Sequence, residues 1–181
     1  IPVRDVLLQV HDMTRRDGTL RLALPSDRMM EGETLAFMEK CGLSVHRTSS
    51  RQYVGSLLSV PGVEVLFQRS VDIPHRLDSG DVDMGIVGLE RFLEDCVEDG
   101  DSLVVLENLG YSFTDLVMAV PDAWTDVRTM ANLASYSGSR HSHDDPLRVA
   151  TKYHRQVGRF LEQHKVPDYR LVHINGAIEA A

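Results

Sequence analysis

The stretch GDVDMGIVGLERF (residues 80–92) has glycine at 80, 85 and 88, encloses a short apolar run, MGIV, and passes straight into residues that read as a helix. Glycine weakens both strands and helices, so Gly85 and Gly88 need a reason. Two are open. A ligand that approaches the backbone closely requires a missing Cβ, and so does a tight turn or a helix pressed onto a sheet. A strand running through glycine into a helix is the repeating unit of α/β proteins. There, ligands collect beyond the carboxyl ends of parallel strands, where helix N-termini offer free N–H groups.

Outward from that stretch the same alternation continues. Apolar runs of strand length recur as LRLAL (20–24), VEVLF (63–67), MGIV (84–87), LVVL (103–106), DLVMAV (115–120), LRVAT (147–151) and YRLVHI (169–174). Most are dense rather than alternating, as in strands covered on both faces. Between them, MEGETLAFMEKCG aligns Leu35, Met38 and Cys41 on one helical face, with Gly42 at the stop. DIPHRLDSG offers Asp72 as N-cap, Pro74 in the first turn and Gly80 past the end. VGRFLEQHKVP reads as a helix halted before Pro167. The pattern predicts an α/β protein with largely parallel sheets. An N-terminal extension (1–17) precedes two expected lobes, residues 18–107 and 108–181, divided near LENLGYSF. SYSGSRHSHDD (135–145) reads as a polar surface loop; its His141 and His143 lack a third metal ligand at suitable spacing.

Composition narrows the functions. At 181 residues, 43% apolar and 25% charged, the chain is long enough for a sizeable core. No run approaches the roughly 20 apolar residues of a membrane span, and residues 1–17 do not read as a secretory signal. Cys41 and Cys96 read as buried free thiols of a reducing compartment. The net charge of −8 argues against nucleic acid as a partner. It leaves room for a small anion in a local basic cleft.

Several residues could carry chemistry. Arg69 follows a strand ending in FQ, and Arg51 sits in the polar segment SSRQY. Each is either a solvated surface arginine or half of a diphosphate clamp, since guanidinium forks bind phosphate in bidentate fashion. Thr151, Lys152 and Tyr153 close another strand. Asp81 and Asp83 are an acid/base pair or, more plainly, a turn cap and a surface carboxylate. No GxSxG, Walker loop or HExxH is present.

Taken in order, LRLALPS, RQY, VLFQRSVDIP, SGDVDMGIVG, LRVATKY and NGAIEAA resemble the ATP phosphoribosyltransferases, the family that opens histidine biosynthesis. The resemblance covers nearly all of residues 18–181. It implies two lobes of the type II periplasmic-binding-protein kind with mixed, mostly parallel sheets and the site between them. It implies transfer of the phosphoribosyl group of phosphoribosyl pyrophosphate (PRPP) to N1 of ATP, with pyrophosphate leaving alongside Mg²⁺. Arg51 and Arg69 would be catalytic, stabilising the leaving pyrophosphate. Arg28, Gly88, Leu89, Glu90, Thr151, Lys152, Tyr153 and Glu179 would bind substrate. ATP and PRPP would be the partners, with neither nucleic acid nor membrane. The assembly would be a homo-oligomer, with a regulatory subunit left open, in the cytoplasm or, from a plant or alga, a plastid.

The sequence also departs from the family. LPSDRMM lacks the lysine and glycine usual after the first strand, so Arg28 aligns across a one-residue gap, and Glu90 stands where aspartate is common. The sequence ends at Ala181, ahead of the family's PRPP phosphate loop and of the segment that returns to the first lobe. A truncated catalytic region is therefore expected, with the activity of these 181 residues alone left open. The alternative is a non-catalytic small-molecule binding or regulatory module of the same fold.

Overall fold

The first apolar run becomes strand β1 (Leu20–Pro25), and its density has a direct cause: β1 is paired on both edges and covered on both faces. The computed structural model describes residues 18–49, 51–96, 100–140 and 145–174. These fall into two compact units, one ending at Thr114 and the other beginning at Asp115.

In the first unit, β1 is followed by helix α1 (Arg28–Lys40), the short strand β2 (Val45–His46), β3 (Val54–Leu57), β4 (Val63–Gln68), helix α2 (Ile73–Asp78), β5 (Met84–Gly85) and helix α3 (Leu89–Asp95). The sheet order is β2-β3-β4-β1-β5. β1 runs parallel to β4, from Leu20↔Val63 to Pro25↔Gln68, and parallel to β5, while β3 is antiparallel to both β2 and β4. Side chains alternate across the sheet with the strand's period of two. Leu20, Leu22, Leu24, Val63, Val65 and Phe67 share one core with Met38 of α1, and Leu35 and Cys41 pack against it. Ala23 and Leu66 point the other way, to Ile73 and Leu77 of α2. Gly42 and Gly80 stop α1 and α2 with φ of +74° and +69°, which glycine adopts without strain.

In the second unit, helix α4 (Met130–Arg140) precedes β6 (Leu147–Thr151), helix α5 (His154–Gln163) and β7 (Tyr169–His173). β6 and β7 are parallel, Leu147↔Tyr169 to Thr151↔His173, so this is the strand–helix–strand unit the alternation predicts. The core joins Val127, Leu133, Leu147, Val157, Leu161 and Val166. The fold is α/β with mixed, mostly parallel sheets.

Several expectations are corrected. LVVL and DLVMAV form no strand. A strand needs a ladder partner, and the described residues pair none with either run. Leu103–Leu106 instead lines an apolar cavity of about 420 Å³ with Met84–Val87 at the β5 edge. Residues 135–140 are not a loop but the end of α4. The small residues there permit close packing: Ser137 is fully buried and donates to the Pro167 carbonyl. Thr129 starts that helix by accepting the Asn132 N–H at 3.1 Å. His141 and His143 lie outside the described residues.

The structure explains one of the two glycines by packing. Gly85 pairs with Ala23 beneath α2, and a Cβ there would lie 2.7 Å from Cγ2 of the fully buried Ile73 and 3.4 Å from Cδ1 of Leu77. Gly85→Ala is therefore expected to destabilise the fold by about 1–3 kcal/mol through overpacking. An unchanged urea midpoint would show that α2 is not seated on β5.

Tyr111 links the segment after LVVL to α1. Its hydroxyl is 3.0 Å from Thr34 Oγ1 and its ring 5.4 Å from that of Phe37. Burial first, and then the charge of Glu33, push its phenol above the ordinary 10.0, while the Thr34 hydrogen bond pulls it partly back. The fold thus favours the neutral phenol. That contribution is complete below 10.0 and is lost as the pH rises through the higher folded-state value. In stability profiles carried upward through pH 10, Tyr111→Phe should lessen the alkaline decline. An identical decline in both proteins would refute the assignment.

Candidate functional site

Because β1, β4 and β5 are parallel, their carboxyl ends lie along one edge of the sheet. β3 runs the other way, with Val54 opposite Leu66, so the chain entering β3 reaches that same edge. The Tyr53 carbonyl accepts the Phe67 N–H at 2.8 Å and fixes the approach. Four chain segments therefore share one rim: Ser26–Arg28 after β1, Arg51–Tyr53 before β3, Arg69–Asp72 after β4, and Ile86–Glu90 after β5. Arg28, Arg51, Arg69, Gly88, Leu89 and Glu90 all belong to it.

Carboxylates organise this rim. Asp27 accepts the Ser70 N–H at 2.7 Å and also its hydroxyl, joining the turn after β1 to the turn after β4. Arg69 donates to Asp72 through Nε at 2.8 Å and Nη2 at 3.0 Å, with its side chain largely exposed. That hydrogen bond, and then the Asp72 charge, hold the guanidinium above its ordinary value, so it is always charged. The expected capping role of Asp72 is corrected here. It occupies the N-cap position of α2 but makes no side-chain cap hydrogen bond, because its carboxylate is engaged by Arg69. Arg28 is exposed in the first turn of α1.

Arg51 lines a polar cavity of about 170 Å³ with Ser26, Glu31, Arg47, Gln52, Tyr53 and Phe67. Arg47 was not singled out by sequence. It stands in a polar stretch like any surface arginine, and its anchors, Glu31 and Phe67, are distant along the chain.

Gly88 differs from Gly85. Its φ of −60° and ψ of 134° suit any residue. The atoms nearest a Cβ at this position belong to the Glu90 carboxylate, folded back over it, including Cδ at 2.8 Å. Neither turn geometry nor helix–sheet packing requires glycine here. Leu89 lines the apolar cavity, not the polar one. Asp83 is structural: it accepts the Arg21 N–H at 2.8 Å near the amino end of β1, away from the rim.

In the second unit, Thr151 ends β6 and is buried, and its Oγ1 accepts the Tyr153 N–H at 2.9 Å just ahead of α5. Lys152 and Tyr153 are half-buried, and Tyr153 packs against the core. Glu179 lies outside the described residues. Among the described residues, no group of three or more His, Cys, Asp or Glu could hold a metal ion, and no helix is long and apolar enough to cross a membrane.

Sheet and rim together define an α/β protein with a cluster of arginines beyond the carboxyl ends of parallel strands. A family model for ATP phosphoribosyltransferase matches residues 69–181. The chain is 38% identical to the ATP phosphoribosyltransferase of Rhodopseudomonas palustris (strain HaA2), over 88% of this chain and 50% of that protein. It is 35% identical to that of Chelativorans sp. (strain BNC1), over 90% of this chain and 72% of the relative. Among solved structures, an ATP phosphoribosyl transferase (HisG:HisZ) complex from Thermotoga maritima matches with a TM-score of 0.51 at 20% identity, covering 89% of this chain and 67% of that one. The chain belongs to the ATP phosphoribosyltransferase family. It spans about half the length of the first curated relatives it matches.

Gly88→Ala is expected to leave stability within about 0.5 kcal/mol of wild type, because the nearest atoms a Cβ would meet are the far end of a side chain, the Glu90 carboxylate, and not backbone. A loss as large as that of Gly85→Ala in the same urea titration would place a packing constraint at Gly88 after all.

Proposed function

We propose that the whole protein joins ATP to PRPP, forming phosphoribosyl-ATP and pyrophosphate in the first step of histidine biosynthesis. The observation that carries this reading is the rim itself. A chain of net charge −8 gathers Arg28, Arg51 and Arg69 where strands end and ligands bind. Adenine N1 attacks the anomeric carbon of the ribose as the bond from that carbon to the pyrophosphate oxygen breaks. The carbon becomes cation-like and the leaving group gathers negative charge. Arg51 and Arg69 stabilise that charge, and donors aimed in advance act without reorganising during the step. Asp72 holds the Nε edge of Arg69 and leaves the outer edge of the guanidinium to the anion. Gly88 and Glu90 border the nucleotide, with Leu89 behind them, and Arg28 adds charge to the rim. Mg²⁺ enters with the pyrophosphate moiety as part of the substrate, so it needs no cage of protein carboxylates.

In this reading residues 18–107 form lobe I and residues 108–181 form lobe II of a periplasmic-binding-protein-like fold. Thr151, Lys152, Tyr153 and Glu179 are the residues of lobe II to which the family resemblance assigns substrate binding. The protein works in the cytoplasm as a homo-oligomer. The Thermotoga structure is of a complex with a second named component, and a regulatory subunit is the corresponding partner here.

The test is product formation by the full-length protein with ATP, PRPP and Mg²⁺. Arg69→Ala should lower kcat by about 10²–10³ and change the affinity for ATP much less. Folded full-length protein that binds a small molecule but makes no phosphoribosyl-ATP would instead be a binding module. Unchanged turnover in the Arg69 variant would remove Arg69 from the mechanism.

A further inference from the structure

Arg47 is built into the rim in a way an ordinary surface arginine is not. Its guanidinium lies over the Phe67 ring, 4.2 Å from the centroid, and Phe67 is itself 1% exposed. Glu31, reaching from α1, ion-pairs with Nη2. The Arg47 side chain is only 15% exposed. Packing and charge together fix its position.

That anchoring leaves hydrogen-bonding capacity unused. A guanidinium has five N–H donors, and among the described residues Arg47 directs one hydrogen bond, from Nη2 to Glu31. The other donors belong to a mostly covered side chain, where unsatisfied donors are costly. Arg47 lines the same cavity as Arg51, and the Arg51 guanidinium has no partner among the described residues. Arg47, Arg51 and Glu31 thus line a space of about 170 Å³ together with Ser26 and Gln52, whose side chains carry further donors. Several donors around one small volume suit a group with several acceptor oxygens.

We propose that Arg47 is a phosphoryl-binding residue. It forms with Arg51, Ser26 and Gln52 a subsite for one phosphate group of a polyphosphate, and Phe67 and Glu31 hold it ready. In the reaction proposed above, that group is part of the pyrophosphate; only this last identification rests on that reading. Arg47 is the fixed half of the clamp and Arg51 the solvent-exposed half, so the entropy of ordering falls mainly on Arg51.

Calorimetric titration of the full chain with inorganic pyrophosphate, and separately with ATP, tests this. Arg47→Met keeps an apolar chain against Phe67 and removes the charge; it should weaken pyrophosphate binding by about tenfold or more. Arg47→Lys restores charge without the fork and should recover only part of that loss. A loss confined to pyrophosphate assigns the subsite to the leaving group, and an equal loss for ATP assigns it to the triphosphate; both support a phosphoryl site. Wild-type affinity in a normally melting Arg47→Met protein overturns the proposal, as does absence of pyrophosphate binding by the wild-type chain. If Arg47→Met does not fold, Arg47→Lys decides alone, and wild-type affinity there overturns the clamp. The reaction and the subsite fail separately. Arg47-dependent pyrophosphate binding without phosphoribosyl-ATP formation removes the reaction and keeps the subsite. Turnover with Arg47-independent binding does the reverse.

Discussion

The parallel pairing of β1 with β4 is the constraint on which the rest of the first unit depends. The pairing runs from Leu20↔Val63 to Pro25↔Gln68, and β5 joins the other edge of β1 in the same direction. Once those strands are parallel, the turns that follow them must emerge at one edge of the sheet. Arg28 and Arg69 then become neighbours on a rim although they are far apart in sequence. The antiparallel β3 brings Arg51 to that edge, and β2, antiparallel to β3, ends there just before Arg47. Burial on both faces supports this geometry, since Leu22 and Leu24 face the α1 side while Ala23 faces α2.

The rim opposes the net charge of the chain by local pairing. Asp72 orients Arg69, Glu31 holds Arg47, and Asp27 ties the turn bearing Arg28 to the turn bearing Arg69. Each carboxylate serves as a scaffold for an arginine or its loop. The exposed Arg69–Asp72 pair contributes little to stability, and its consequence here is orientation. An anion arriving at such a rim meets donors already aimed, which is the condition for stabilising charge that develops during bond breaking.

What was legible in the sequence follows from which forces are local. β1 stood out because a strand buried on both faces is dense in apolar residues, and β4, β6 and β7, covered less completely, still carry enough Leu and Val to be recognised. LVVL and DLVMAV are equally apolar and form no strand, because a ladder depends on a partner that a run of residues does not encode. The polar appearance of SYSGSR concealed the end of α4, where serine and glycine matter for their size. Arg69 and Gly88 were legible from their place between strand and helix. Arg47 was not, because its significance comes from a ring on β4 and a carboxylate on α1. The two glycines of the opening stretch looked alike in sequence and separate in structure, one pressed against Ile73 and the other faced by the Glu90 carboxylate.

The central claim is that the edge of the sheet bearing Arg28, Arg47, Arg51 and Arg69 is an anion site. Hydrogen–deuterium exchange of the full chain, with and without saturating pyrophosphate, tests it most directly. Slower exchange is expected in the segments 47–53 and 69–72, with the β1–β4 ladder unaffected. Pyrophosphate that binds while leaving both segments unprotected, and protects another part of the chain, would contradict the account.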